Sequence, residues 1–304
     1  MDFHSERAED DFSRARTREF LTRIQGFMDP SRRRLLSLDE VRSILRPEGE
    51  TYLGMQAVPI DRIVGSEGRY RDFNHHFLPR FDHLRPRWVR VDLAHYKEIN
   101  LPPIQLYEAG GLYFVRDGNH RVSVARLQGT RAIDAEVISL NTKVALEPGM
   151  GLEDLRKAVL RYEKERFYRT TGFLEATGDE DLDFTAPGQY DIVLNHILVH
   201  KYFINQGKTE EIPFRDALES WYRSVYAPIA GVIRAERIDS RFPGRTTADL
   251  YVYIVKHWDH LKRKYGLPVT AETAASDFSS RYGQSFRDRI RGVFSALLGR
   301  WISR

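Results

Sequence analysis

Cysteine is absent from this sequence of 304 residues. The chain therefore forms no disulfide bond and offers no thiolate to a metal ion. Proteins of the reducing cytoplasm rarely use disulfides, so we expect a cytoplasmic location. Residues Met1 to Glu6 contain no apolar core of a secretory signal, which agrees with this expectation.

Long apolar runs and a strong charge of one sign are also missing. No apolar stretch reaches the length of about 18 residues that suits a membrane span, so no transmembrane segment is predicted. The 47 basic and 43 acidic residues leave a formal charge of only +4. This charge permits an anionic ligand, whereas nucleic-acid-binding proteins usually carry a concentrated basic face. DNA is therefore a possible partner that the composition does not indicate.

Three regions follow one another along the chain. Residues 1–50 are polar and helical, residues 51–145 mix strands and helices, and residues 150–304 are helical throughout. We predict an α+β fold, in which a small mixed α/β domain lies between N-terminal helices and a mostly α-helical C-terminal region. The predicted strands of the middle region lie at residues 57–60, 102–107, 112–116 and 133–138.

The N-terminal region contains a helix start signal. Ser37-Leu38-Asp39-Glu40 has the pattern of a capping box, in which the first and fourth side chains bond to each other's backbone N–H groups. The signal predicts a helix through Leu45. We expect this region to pack on the domain that follows or to mediate self-association, so that a homodimer is one expectation.

The most informative motif is Asp117-Gly118-Asn119-His120-Arg121, between the apolar run 112–115 and a short predicted helix, 122–128. The first N–H groups of a helix have no partner inside it and carry partial positive charge. A glycine lets a phosphate approach the backbone, and Arg can grip phosphate with two parallel hydrogen bonds. The motif therefore predicts a phosphate-binding turn. A plain hairpin is the alternative, because Asp-Gly is also a common two-residue hairpin turn.

The stretch from about Val58 to Leu140 resembles the ParB/sulfiredoxin-like domain family. This family includes partition proteins that bind CTP and DNA, sulfiredoxins that use ATP, and free-serine kinases that use ADP or ATP. The resemblance implies a nucleotide (ATP, ADP or CTP) with Mg²⁺ as the cofactor. It covers roughly a quarter of the chain and is carried by residues 58–63, 101–106, 113–121 and 129–137.

Comparison with the branches of that family narrows the expectation. Sulfiredoxin chemistry is excluded, because Asn119 stands where those proteins have their reactive cysteine. The partition branch has Gly-Glu-Arg-Arg at the motif and continues into a helix-turn-helix, which we do not find after residue 140. The kinase branch has Asp-Gly-His-His-Arg and differs from this chain at Asn119 alone. The resemblance therefore favours a branch similar to the free-serine kinases.

The resemblance and the local chemistry together assign roles to individual residues. Backbone N–H groups of Gly118 and Asn119 would cradle phosphates, while His120 and Arg121 would offset the charge that develops during phosphoryl transfer. Asp117 would hold Mg²⁺ or orient the nucleophile. Glu67 would act as general base toward a small hydroxyl acceptor or water. Further nucleotide-binding residues are expected in the turn after the first strand: Ser66, Arg69 and Arg71.

The segment 69–80 between the first two predicted strands is aromatic and basic. Its arginines and His75-His76 could close over a nucleotide triphosphate. The alternative is a loop whose aromatic side chains pack while its charges face water. Adjacent histidines rarely ligate one ion alone, and no clear third ligand accompanies this pair. We therefore predict no site at which protein side chains alone would hold a metal ion.

The C-terminal region is predicted to form helices at residues 151–169, 190–205, 214–238 and 246–265, with a kink or break at Pro228. His196 and His200 lie on one helical face, where packed or surface histidines are a commoner outcome than metal ligands. This region resembles a companion domain of unknown function that follows the motif domain in some bacterial proteins. That resemblance implies no activity.

Two further features of the C-terminal region have alternative interpretations. Residues 242–249 form a Gly-Arg turn that enters a helix, which predicts either a second anion site or a helix start capped by Thr246 and Asp249. Residues 285–303 predict an amphipathic helix that packs in the core, docks on a partner or lies on an anionic membrane. The apolar stripe of that helix comprises Phe286, Ile290, Val293, Phe294, Leu297, Leu298 and Trp301.

Three function classes remain open from the sequence. The first is a nucleotide-binding enzyme, either a nucleotide-dependent phosphotransferase or a nucleotide hydrolase. The second is a non-enzymatic regulator similar to ParB, in which nucleotide gates binding to DNA or to another partner. The third is a structural adaptor that only holds a phosphate. A nuclease is disfavoured, because the sequence shows no cluster of carboxylates that would hold two metal ions.

Overall fold

The computed structural model describes residues 3–25 and 35–265, with side chains described as far as Trp258. The chain divides into two compact units, with the boundary between Val159 and Leu160. Unit 1 contains a six-stranded mixed sheet with helices, and the described part of unit 2 is helical. The α+β fold predicted from the sequence is confirmed. No helix of the described residues is long and apolar enough to cross a membrane.

The sheet of unit 1 has the strand order β1-β3-β5-β4-β6-β2. Strand β5 is parallel to β3 and antiparallel to β4, while β6 is parallel to β4 and antiparallel to β2. The central position of β5 matters because the Asp117–Arg121 motif begins at its last residue. The strands are β1 (Leu36–Ser37), β2 (Glu50–Pro59), β3 (Ile63–Ser66), β4 (Ile104–Ala109), β5 (Leu112–Asp117) and β6 (Ala132–Leu140).

Among the described residues, the α-helices that lie wholly within unit 1 are α1 (Phe3–Gln25), α2 (Leu38–Leu45), α3 (Arg85–Tyr96) and α4 (Asn119–Leu127). One apolar core joins α1, α3 and α4 to the sheet, and its largest side chains include Phe12, Trp88 and Phe77. The indole of Trp88 in α3 also donates a hydrogen bond of 2.8 Å to the hydroxyl of Ser123 in α4. These contacts fix α3 beside the amino end of α4.

The N-terminal segment packs on the sheet domain, which was one of the two expectations for it. Residue 50 therefore marks the start of β2 within one compact unit and not a boundary between units. The predicted helix through Leu45 is present as α2. The capping box prediction is wrong in its hydrogen bond, because the side chain of Ser37 makes none to the helix start. Strands β1 and β3 and helix α3 were not predicted.

Unit 2 is built from α5 (Leu152–Thr171), which crosses the boundary, and α6 (Phe173–Thr177), α7 (Gln189–Asn205), α8 (Phe214–Trp221), α9 (Ala227–Ala235) and α10 (Thr247–Tyr265). Between α8 and α9 the chain forms a π-helical turn, Tyr222–Tyr226. Pro228 lies in the first turn of α9, which continues directly from this π-helical turn. The predicted break is thus the π-turn just before Pro228. The predicted helix at 285–303 lies outside the described residues.

Candidate functional site

The Asp117–Arg121 motif turns the chain from β5 into α4. Gly118 has a φ of +108° and precedes the first residue of the helix, Asn119. A Cβ atom on Gly118 would lie 2.4 Å from Cγ2 of Ile104, so only glycine fits this position without movement of β4. None of the described side chains caps this helix start. The hairpin alternative is excluded, and the predicted sequence of strand, glycine turn and helix is present.

A cleft of about 470 Å³ opens over the amino end of α4. Residues from α3, from the loop after β3 and from the motif itself line it. Four arginines and two aspartates give the lining an excess of positive charge. The lining residues are Gly68, Arg69, Asp72, Arg87, Val91, Arg116, Asp117, Gly118, Asn119, His120 and Arg121.

Two arginines of the cleft are engaged in hydrogen bonds. Arg69 pairs with Asp72 at 3.0 Å. Arg121 pairs with Asp117 and donates to the backbone carbonyls of Pro102 and Pro103. Burial lowers the pKa of Arg121, and the neighbouring Asp117 opposes that shift. The guanidinium of Arg121 therefore holds the loop before β4 through hydrogen bonds. From the sequence we expected this guanidinium to be free to bind phosphate.

The other two arginines are available to a ligand. Arg87 lies on the exposed side of α3 and Arg116 at the end of β5. Neither guanidinium has a hydrogen-bond or ion-pair partner among the described residues, and that of Arg116 lies 5.7 Å from the ring centroid of Tyr107. An unpaired guanidinium binds an anion without first breaking a protein ion pair.

His120 forms part of the cleft wall and is only 5% exposed. Its ring lies edge-on to Phe73 with centroids 5.4 Å apart, and its Nδ1 atom has no hydrogen-bond partner in the part of the chain that the structure describes. Burial, with the nearby charges of Arg87 and Arg69, lowers the pKa of His120 to about 4. The imidazole is therefore neutral near pH 7, which corrects the prediction of a charged donor at this position.

Asn119 is buried beside His120 at the start of α4. Its Oδ1 atom also has no hydrogen-bond partner. Unpaired polar atoms inside a protein are uncommon because their desolvation is not compensated. Two such atoms on consecutive residues of the cleft wall indicate a place where a polar ligand would complete the hydrogen bonding.

The turn after β3 is only partly brought to the cleft. Ser66 is fully buried, and its hydroxyl donates to the carbonyl of Val115 at 3.2 Å and accepts from the N–H of Arg69 at 3.3 Å. Ser66 thus positions Arg69 and is not among the described residues that line the cleft. Glu67 and Arg71 are not among the described residues that line the cleft. The predicted roles of Glu67 as general base and of Arg71 as phosphate ligand therefore have no geometric support.

The aromatic segment 69–80 packs as its alternative interpretation predicted. Phe73 and Phe77 are fully buried, whereas His76 borders a separate cavity beside the carboxyl end of α4. Burial and the neighbouring His75 lower the pKa of His76. Within the described residues no group of three or more His, Asp or Glu side chains could hold a metal ion.

The histidines of α7 have ordinary partners. His196 Nδ1 lies 3.1 Å from the hydroxyl of Tyr251, and His200 Nε2 lies 3.0 Å from that of Ser220. At the start of α10, Asp249 accepts the N–H of Thr246 and donates its own N–H to the Thr246 hydroxyl, both at 3.1 Å. Arg245 donates to Thr185 at 2.8 Å. The turn at 242–249 is therefore a capped helix start.

Sequence reasoning missed Arg87, Arg116 and Asp72 in the cleft. Arg116 directly precedes the motif, and Asp72 lies in the basic segment 69–80. The sequence therefore already placed both residues close to segments that were expected to bind phosphate. Arg87 belongs to α3, a helix that was not predicted. Its signal is Pro86, which suits a first helical turn, followed by the buried Trp88.

Comparison of the chain with protein-family models, with curated proteins and with solved structures gave no significant match. The resemblance to the ParB/sulfiredoxin-like family rests on the quoted motifs alone.

Proposed function

We propose that the cleft over the amino end of α4 binds the phosphate groups of a nucleotide. The observation that carries this proposal is the pair of guanidinium groups, on Arg87 and Arg116, that make no hydrogen bond or ion pair among the described residues and lie beside a helix start that no described side chain caps. A helix amino end supplies N–H donors and partial positive charge, and the arginines supply full charges. The resemblance of Asp117–Arg121 to the nucleotide-binding motif of the ParB/sulfiredoxin-like family supports the same ligand class.

The proposed reaction is transfer of the terminal phosphoryl group of the nucleotide to a small hydroxyl acceptor or to water, in which the phosphoanhydride bond breaks and the shortened nucleotide leaves. Arg87 and Arg116 would stabilise the negative charge that spreads over the transferred oxygens. His120 replaces Glu67 as the proposed proton acceptor, because His120 is neutral and borders the cleft. A bound phosphate would raise the pKa of His120 from about 4 toward the working pH, since opposite charge favours the imidazolium.

Mg²⁺ fits this cleft only together with the nucleotide. Asp72 and Asp117 are the carboxylates of the lining, and each is paired with an arginine. Mg²⁺ is commonly held by one or two carboxylates together with substrate phosphates. When bound, the ion would neutralise phosphate charge, and Asp117 is the residue of this chain best placed to hold it.

A thermal-shift panel tests the proposal, with ATP, ADP, CTP, GTP and inorganic phosphate in the presence of Mg²⁺. A ligand that binds only the folded protein raises its melting temperature. We expect a shift with at least one nucleotide, and a loss of affinity of about 10- to 100-fold in Arg87→Ala, the range for a charge-assisted hydrogen bond. Arg90→Ala is the matched control, because Arg90 is an exposed arginine of the same helix outside the cleft.

The outcomes of the panel separate the function classes. Equal affinity of wild type, Arg87→Ala and Arg90→Ala, or no shift with any ligand, would overturn the phosphate site. Binding that is followed by phosphate release or transfer to a hydroxyl supports the enzyme. Binding without turnover favours the non-enzymatic regulator. A nucleotide-gated DNA-binding module would bind DNA only when nucleotide is present, with an affinity that falls steeply as the salt concentration rises.

A further inference from the structure

A cavity of about 920 Å³ in unit 1 lies at the carboxyl end of α4, at the opposite end of that helix from the phosphate cleft. The two share no lining residue. Residues from the second half of α1, from the 3₁₀ turn Ile60–Arg62 and from 126–131 line this carboxyl-end cavity. Small-molecule sites in proteins have volumes of about 300–1,000 Å³, so the cavity is large enough to hold a whole organic molecule.

Positive charge predominates in the carboxyl-end cavity. Its ionisable lining residues besides His76 are three arginines and one aspartate: Arg18, Arg126, Arg131 and Asp61. Arg18 and Arg131 are exposed, and their guanidinium groups make no hydrogen bond or ion pair within residues 3–25 and 35–258. Asp61 is exposed too, and it forms no ion pair with a described residue. These arginines can therefore pair with an anion without first breaking an ion pair of the protein.

Arg126 brings a half-buried charge to the carboxyl-end cavity. Its Nη2 atom donates to the backbone carbonyls of Ile60 and Ile63, at 2.8 and 2.6 Å. Its Nε atom is buried and has no hydrogen-bond partner among the described residues. Burial lowers the pKa of Arg126, and the charge of Asp61 opposes that shift. An anion beside Arg126 would offset this desolvation, because an opposite charge stabilises the guanidinium.

Apolar residues form much of the remaining lining. Leu21 is 50% exposed although it is apolar. Leu78 and Leu127 are partly buried and pack against the core of unit 1, and Pro59 and Ile60 complete this apolar part. Ligand sites commonly combine such apolar surface with a few polar groups that fix the orientation of the ligand. The lining therefore suits a molecule that has an apolar body and an anionic group.

The electrostatics at this end of α4 favour a single carboxylate over a polyphosphate. Helix α4 ends at Leu127, and the last carbonyl groups of a helix carry partial negative charge. The carboxylate of Asp61 adds a full negative charge. At the amino end of α4, in contrast, the N–H groups of the helix add to the charge of the arginines. The two ends of α4 therefore favour different anions.

We propose that the carboxyl-end cavity binds a small organic carboxylate with an apolar body. The carboxylate would pair with the guanidinium groups of the lining, since a guanidinium can donate two parallel hydrogen bonds to a carboxylate. The apolar body would cover Leu21 and Leu127. This site is separate from the proposed nucleotide site, and neither proposal depends on the other.

Isothermal titration calorimetry of the full-length protein tests the proposal with four compounds. Naphthylacetate and decanoate carry a carboxylate on an apolar ring system or chain. Naphthylethanol keeps the ring system and lacks the charge, and acetate keeps the charge and lacks the apolar body. We expect saturable binding of at least one of the first two compounds. Naphthylethanol and acetate should bind about 10-fold more weakly or less, because each lacks one of the two interactions.

Two variants locate the binding site of the carboxylate. Arg131→Ala should weaken its binding about 10-fold, the lower end of the range for a charge-assisted hydrogen bond. Leu21→Asp should weaken it at least as much, because the new carboxylate repels the ligand. Both positions are exposed, and substitutions at such positions usually leave a protein folded, which circular dichroism verifies. Arg90→Ala and Leu174→Asp make the same changes at exposed positions outside the cavity and should bind as wild type does.

Each other outcome overturns the proposal. Failure of both naphthylacetate and decanoate to bind would show that the cavity is not a carboxylate site. Equal affinity for naphthylethanol would remove the role of the arginines. Unchanged affinity in Arg131→Ala and Leu21→Asp would place the ligand elsewhere, and a loss in Arg87→Ala would place it in the phosphate cleft. Nucleotide binding without carboxylate binding would overturn this proposal alone, and the reverse result would overturn only the nucleotide site.

Discussion

Two helices of this protein begin at similar glycine turns and differ in what surrounds them. Helix α4 of unit 1 follows Asp117-Gly118, and α10 of unit 2 follows Pro243-Gly244-Arg245. Both glycines have positive φ, +108° and +79°. At α10, Thr246 and Asp249 cap each other and Arg245 is bonded to Thr185. At α4 no described side chain caps the helix start, and two buried polar atoms beside it lack partners among the described residues.

The difference shows that a glycine turn before a helix does not by itself make an anion site. The same backbone feature is closed by its own side chains in unit 2 and left open in unit 1. What distinguishes the α4 turn is the supply of unpaired charge from outside the motif, above all Arg87 of α3. Substitutions at the two helix starts therefore test this difference between α4 and α10.

The largest difference is expected for alanine at the two glycines. In Gly118→Ala the new Cβ would lie 2.4 Å from Ile104, so overpacking adds to the strain of a positive φ and lowers the free energy of unfolding by about 3 kcal/mol. In Gly244→Ala no atom lies within 4 Å, and about 1 kcal/mol is expected. Urea unfolding of both variants measures the difference. Equal losses of unfolding free energy in the two variants would show that the side chain of Ile104 moves aside without cost.

Removal of the α10 cap is expected to rank second. Asp249→Ala would leave the N–H and hydroxyl of Thr185 and the N–H of Thr246 without their acceptor, at a cost of about 2 kcal/mol. Asp117→Ala is the counterpart at α4. Because Asp117 is 57% exposed, its loss should cost less than about 1 kcal/mol. Chemical denaturation measures the unfolding free energy of both variants. A larger loss in Asp117→Ala than in Asp249→Ala would show that side-chain hydrogen bonds stabilise the start of α4 more than that of α10.

The open turn should also make stability depend on pH through His120. Its pKa is about 4 in the folded protein and 6.5 as the ordinary value. The unfolded chain therefore binds more protons in this window, and stability falls as the pH falls through it. From about pH 7 to about pH 5.5 the loss should be about 1 kcal/mol. His120→Gln should remove this part of the pH slope, measured as the urea midpoint at each pH. An unchanged slope would contradict the neutral buried state.

The smallest expected effect concerns anion affinity at the open turn. Asp117→Asn keeps an acceptor for Arg121 and removes one negative charge from the cleft lining. We expect inorganic phosphate to bind about 2- to 5-fold more tightly, equivalent to less than about 1 kcal/mol. Asp134→Asn is the control, because Asp134 is exposed in β6 outside the cleft. Equal gains in both variants would point to net charge alone, and a loss of Mg²⁺-nucleotide binding in Asp117→Asn would identify this carboxylate as a metal ligand.

Local patterns were sufficient to predict the elements that carry the motif. The apolar run 112–115 and the glycine turn were predicted in place, whereas the predicted helix, 122–128, begins three residues after the first residue of α4. The edge strand β2 was predicted too short, because its first residues are polar or exposed and lack alternation. Helix α3 was missed, although it carries Arg87, because the apolar residues of Arg85–Tyr96 form no clear helical stripe.

The sequence by itself determined the strand, the glycine turn and the start of α4, since these depend on residues within about one helical turn of each other. Only the tertiary structure decided which charges are free. The guanidinium of Arg121 is occupied by carbonyls that precede β4, the pKa of His120 is lowered because the core of unit 1 closes around it, and Arg87 is brought in by the packing of Trp88 against α4. Hydrogen-bond satisfaction and desolvation depend on neighbours distant in the chain, and a local pattern does not contain them.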